Sequence, residues 1–112
     1  MSIHASQLID DLAYQCHATA KLKGFWTVSE NTPEKIMLVV TELAEFVESY
    51  RKGDEIIMDE HCPEFMNTEI ELADAVIRIF DIAKYHNFQI GKAIVAKMKY
   101  NETRPHLHGK KF

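Results

Sequence analysis

Apolar residues recur along this chain every three or four positions, and no window alternates cleanly at a period of two, so the pattern predicts helices rather than strands. A first helix is expected from about Ser2 to Lys23, with Ile3, Leu8, Ile9, Leu12 and Ala13 inward and Gly24 ending it. Gly24-Phe25-Trp26 opens a loop. Thr32-Pro33 reads as an N-cap followed by proline at the first helical position, starting a second helix that runs to about Lys52. Gly53 and Asp54 stop it. A polar, acid-rich connection containing Pro63 covers 54–67, a third helix about Thr68–His86, and a further helical segment about Gln89–Tyr100. The tail from Asn101 is expected to be irregular. The elements predict an all-α fold, an antiparallel bundle of about four helices in one domain over 1–112.

The second and third helices carry polar residues where a simple amphipathic helix would not. Ile36, Val40, Leu43 and Val47 form the expected core face of the second, yet Leu38 falls on the opposite side between Glu42 and Glu45. The third is apolar around most of its circumference, leaving a narrow stripe of Glu71, Asp74 and Arg78 with Asp81 beside it. A helix apolar on nearly all sides is expected to be buried, and buried carboxylates need partners. Glu42-Leu-Ala-Glu45 and Glu71-Leu-Ala-Asp74 each hold two carboxylates three residues apart, on one helix face. Packed antiparallel, the two helices would converge four carboxylates, a natural seat for a hard cation with oxygen preference. Plainer roles compete. The glutamates suit a solvated face, Thr68-x-x-Glu71 suits a capping box, and Arg78 suits an ion pair with Asp74 or Asp81.

Charge refines the picture. The net charge is −4 over 112 residues, but 1–96 carry 16 acidic and 8 basic side chains, whereas 97–112 carry five basic residues against Glu102 alone. An acidic body with a basic end suits a metal and a phosphate. A nucleic-acid partner is not expected, because a duplex binder is more often basic over a whole face. No apolar run approaches membrane-spanning length and no secretory signal is visible, so neither a membrane nor export is expected. Two isolated cysteines, Cys16 and Cys62, fit a reducing cytoplasm.

Taken in order, these motifs resemble the MazG-like all-α nucleoside triphosphate pyrophosphohydrolase superfamily. The likeness rests on the Glu42/Glu45 pair after Pro33, the Glu71-Leu-Ala-Asp74 pair with 25 residues between Glu45 and Glu71, the aromatic Gly24-Phe25-Trp26 loop, and a basic ending from Lys97 to Phe112. It implies Mg²⁺-dependent hydrolysis of a (deoxy)nucleoside triphosphate to the monophosphate and pyrophosphate, a housecleaning activity on nucleotide pools. It implies that Glu42, Glu45, Glu71 and Asp74 are both the catalytic residues and the ligands of Mg²⁺, with Mn²⁺ a substitute. The substrate-binding residues it implies are Trp26, Arg78, Lys97, Asn101, Arg104, His108 and Lys110. A homodimer or homotetramer is expected too. One position departs from the pattern: Thr41 stands where many members carry the first glutamate of EExxE. On that feature rests the competing reading, a non-catalytic nucleotide-binding or helical interaction module.

Overall fold

The computed structural model describes residues 3–26 and 31–112. It is all-helical, with α1 (Ile3–Leu22), α2 (Thr32–Lys52), α3 (Asn67–Tyr85) and α4 (Ile90–Glu102), followed by a short 3₁₀ turn at His106–Gly109. The predicted start at Ser2 falls outside the described residues. α3 is central. It packs against both α1 and α2, while α4 packs mainly on α1. Both central contacts are antiparallel. Glu42 of α2 meets Arg78 of α3 and Ser49 meets Glu71, while His17 of α1 meets Asp81. No helix is long and apolar enough to cross a membrane among the described residues.

The helix ends show why these segments stop where they do. α2 is capped one residue earlier than Thr32-Pro33 suggests. Asn31 Oδ1 accepts from the Glu34 N–H, which frees the Thr32 hydroxyl to pair with His86 Nε2 at 2.8 Å. Gly53 closes the other end at φ 75°, and the Asp54 N–H returns to the Ser49 carbonyl. At the start of α3 the carboxylate that caps is Glu69, which accepts from the Met66 N–H at 3.0 Å. The Thr68-x-x-Glu71 capping box is therefore not formed: the Thr68 hydroxyl donates to the Glu55 carbonyl instead. The helix begins one residue before Thr68, and this leaves Glu71 free for other work. The acid-rich 54–66 connection folds back on itself through a single Met58–Met66 bridge, with Asp59 Oδ2 accepting from the His61 and Cys62 N–H groups. The chain beyond Asn101 is more regular than expected, since α4 continues to Glu102.

The core is small. Ala13, Val39, Ala75, Ile82 and Ala83 are its buried hydrophobics, with Trp26 packed against Val39, Ala75 and Ile82. Two expectations about burial fail here. Leu8 and Leu12, read as inward, are exposed; of that set Ala13 is the buried member. Ile36, Val40, Leu43 and Val47, read as the main core face of α2, are likewise exposed. The α3-facing side of α2 is instead the sector holding Val39, Glu42, Phe46 and Ser49, so the aliphatic row lies beside the helix contact and stays about half exposed.

Candidate functional site

The α2–α3 contact brings the acidic pairs together. Arg78 Nε donates to Glu42 Oε1 at 3.1 Å across the two helices, so Arg78 pairs with neither Asp74 nor Asp81 of its own helix. Ser49 Oγ donates to Glu71 Oε1 at 3.4 Å, whereas Glu71 Oε2 is buried without a hydrogen-bond partner. Burial pushes the Glu71 carboxyl above its ordinary value, and the charges of Glu45, Glu42 and Asp59 push the same way against the Ser49 hydrogen bond. Burial also raises Asp74, where Glu42 and Asp59 add to the effect and Arg78 opposes it. All four predicted acids thus belong to one electrostatic neighbourhood. Asp59 joins them from the 54–66 connection.

Among the described residues no three of these side chains stand at metal-ligand spacing. Glu42 is held by the Arg78 guanidinium. The donor set still suits a hard cation. It consists of carboxylate oxygens, one of which is buried and unpaired, as a ligand awaiting a positive charge would be.

Glu42, Asp74 and Arg78 also line a cavity of about 520 Å³, within the size range of small-molecule sites. One wall is a stripe of α1 at helical spacing, Leu12, Gln15, Cys16, Thr19 and Ala20, continued by Lys23 just past the helix end. Ile77 and Asp81 of α3 and the Phe25 ring complete it. The cavity therefore has an acidic end that carries one guanidinium, and a largely apolar body with a few polar groups. Burial raises the Cys16 thiol pKa, and Asp81 adds to the shift, so Cys16 is not an activated nucleophile.

The structure brings only part of the predicted substrate set to this cavity. Phe25, not Trp26, lines it. Trp26 stacks on Tyr85 with centroids 4.0 Å apart, and its Nε1 donates to Asp81 Oδ1 at 2.9 Å. Asp81 Oδ1 also meets His17 Nδ1 at 2.7 Å, so one carboxylate oxygen joins α1, the loop after it and α3. None of Lys97, Asn101, Arg104, His108 and Lys110 contributes to the cavity wall. Lys97 and Arg104 lie over the Tyr100 ring, and Asn101 Oδ1 is buried without a partner. Thr41 is exposed and its hydroxyl donates back to the Leu38 carbonyl. Sequence reasoning missed Ser49, Asp59, Lys23 and the α1 stripe, and within the Gly24-Phe25-Trp26 loop it chose Trp26 over Phe25. Of the missed residues the α1 stripe carried a signal, a row of small and polar residues at helical spacing.

No family model matches the chain, and no curated protein and no solved structure matches it.

Proposed function

We propose that the chain hydrolyses a (deoxy)nucleoside triphosphate to the monophosphate and pyrophosphate, with Mg²⁺ or, in its place, Mn²⁺ held by Glu42, Glu45, Glu71 and Asp74. One observation carries the reading. Acids from two helices act on one another beside a nucleotide-sized cavity, and one of their oxygens, Glu71 Oε2, is buried with no partner. Mg²⁺ bound there supplies positive charge to phosphate oxygens and makes water more acidic.

The chain's own residues do the rest. Arg78, at the acidic end of the cavity, offers a guanidinium that exchanges its Glu42 partner for a phosphate oxygen. Lys23, on the same wall, offers a second cation. Phe25, Leu12 and Ile77 give the base an apolar seat and exclude water, and Gln15 and Thr19 provide hydrogen-bonding groups within it. One of Glu42, Glu45 and Glu71, or Glu48, takes the proton of the attacking water instead of holding metal. Water adds to the α-phosphorus and the α–β anhydride bond breaks, with pyrophosphate as the leaving group. The basic tail (Lys97, Asn101, Arg104, His108 and Lys110) and Trp26 remain part of the reading as further substrate contacts. So do a cytoplasmic setting and self-association as a homodimer or homotetramer.

A panel of nucleoside triphosphates with Mg²⁺, scored for pyrophosphate and monophosphate, tests the reaction. Release of inorganic phosphate and diphosphate would place the cleavage at the wrong bond. Glu71→Gln is expected to lower turnover at least about a hundredfold, the usual scale for a group that acts in the transition state. The second reading, nucleotide binding without hydrolysis, is favoured by Thr41 and by the occupied Glu42–Arg78 pair. Tight binding of a Mg-nucleotide with no product after hours would select it.

A further inference from the structure

Asp81 is a buried carboxylate that the hydrolytic reading leaves unused. It lines the cavity together with Ile77 and Arg78, seven residues beyond Asp74 on α3. At the helical rise this separation is about 10.5 Å along the axis. Glu42 and Asp74 mark the acidic end of the cavity. From there Asp81 stands at the reach that separates the phosphates of a nucleotide from the far edge of its base. Its charge is felt on the opposite wall: burial raises the pKa of the Cys16 thiol of α1, and Asp81 raises it further.

The carboxylate is fixed in place and only half used. Trp26 Nε1 donates to Oδ1 at 2.9 Å, and His17 Nδ1 meets the same oxygen at 2.7 Å. Neither partner lines the cavity. Oδ1 is thus committed to the fold, and Oδ2 is the atom that Asp81 has to offer a ligand. A carboxylate accepts hydrogen bonds and donates none. The exocyclic amino group of cytosine or adenine satisfies it. The O4 carbonyl of uracil or thymine at the same place would set two acceptors against each other. A site built around one hydrogen bond rejects the isostere that cannot make it, because the buried group is left unpaired.

We infer that Asp81 selects nucleotides whose base carries an exocyclic amino group, cytosine before uracil among the pyrimidines. The inference rests on the reading of the cavity as a nucleotide site, but its test needs neither Mg²⁺ nor turnover. Calorimetric titration of metal-free protein with dCMP and with dUMP should give dissociation constants at least about tenfold apart, in favour of dCMP. Asp81→Asn should abolish or invert that preference. The Trp26 indole N–H only donates, so it keeps the amide oxygen at the Oδ1 position and turns the NH₂ group to the Oδ2 position. A purely structural loss would weaken both nucleotides alike and leave their ratio unchanged. If Asp81→Asn fails to fold, wild-type protein should bind the pyrimidin-2-one nucleotide, which lacks the amino group and adds no bulk, at least about tenfold more weakly than dCMP. Equal affinity for dCMP and dUMP would overturn the inference. So would a wild-type ratio in folded Asp81→Asn, or binding of neither nucleotide. A dCMP preference in a chain that releases no pyrophosphate would sink the hydrolytic reading alone.

Discussion

Asp81 is the residue through which three parts of the fold are joined, so replacing it tests the architecture directly. It is buried, and its Oδ1 takes both the Trp26 indole N–H at 2.9 Å and His17 Nδ1 at 2.7 Å. In Asp81→Ala both donors lose their acceptor in half-buried positions. A donor stranded in a protein interior costs about 1–3 kcal/mol. Partial access of water to His17 and Trp26 puts the pair in the lower half of the combined range, about 2–4 kcal/mol. For a chain of this length 1 kcal/mol shifts the melting temperature by about 4 °C, so the expected loss is about 8–16 °C. Asp81→Asn keeps a carbonyl oxygen for one donor and loses the charge, and should cost about 1–2 kcal/mol. Thermal or urea unfolding at one fixed protein concentration measures both, the fixed concentration being needed if the chain self-associates. If Asp81→Ala melts within about 4 °C of wild type, the His17–Asp81–Trp26 junction is not what holds α1 to α3.

Two further perturbations probe the acids and the α1–α4 contact. Glu71 and Asp74 have folded-state pKa values raised above ordinary values near 4.5 and 3.8. The stability they contribute is therefore complete below those ordinary values and is lost as pH rises through the raised ones. Metal-free protein should melt lower at about pH 8 than at about pH 3.5 on this account. Mg²⁺ should recover part of the difference at about pH 8, and Glu71→Gln should flatten the dependence; a Glu71→Gln profile parallel to wild type would refute it. At Gly91, whose N–H donates to Asp10 Oδ1 at 2.8 Å, a Cβ would run into the Ser6 carbonyl oxygen. Gly91→Ala should cost at least about 1–3 kcal/mol, read as a lower urea midpoint, and a wild-type midpoint would show that α4 does not sit that close to α1.

The fold class was legible because it depends on periodicity, and periodicity is a local property. Helix ends were legible wherever one residue decides them, as Gly53 does by adopting a left-handed conformation. The start of α3 was not, because Glu69 and Glu71 both stand at capping distance from a plausible N-cap and only the fold of the 54–66 connection chooses between them. That each acidic pair shares one helix face could be read from its spacing. The Arg78–Glu42 pair and the approach of Asp59 could not, since both depend on how two helices and a loop are set against each other. Phe25 and Trp26 show the same limit at adjacent positions. Either ring could serve a ligand, and the indole N–H settles Trp26 against Asp81 while Phe25 is left facing the cavity.

The exposed row Ile36, Val40, Leu43 and Val47 gives the misplaced core face a physical reading. Helical period alone says which residues share a side, and says nothing about which chain covers that side. On α2 one sector meets α3, Glu42 within it also lines the cavity walled by α1, and the aliphatic row is left over. α3 divides in the same way, with Asp74 toward the cavity and Leu72, Val76 and Ile79 away from it. α1 lies on the acidic side of the pair. What holds α2 against α3, and with them the spacing of Glu42 and Glu45 to Glu71 and Asp74, is the buried contact of Val39 with Ala75 and Ile82. Loosening that contact should therefore weaken Mg²⁺ affinity without touching a single carboxylate, a coupling that Val39→Ala measured by calorimetric titration with Mg²⁺ can read directly; unchanged affinity in a folded Val39→Ala would separate the packing from the acids.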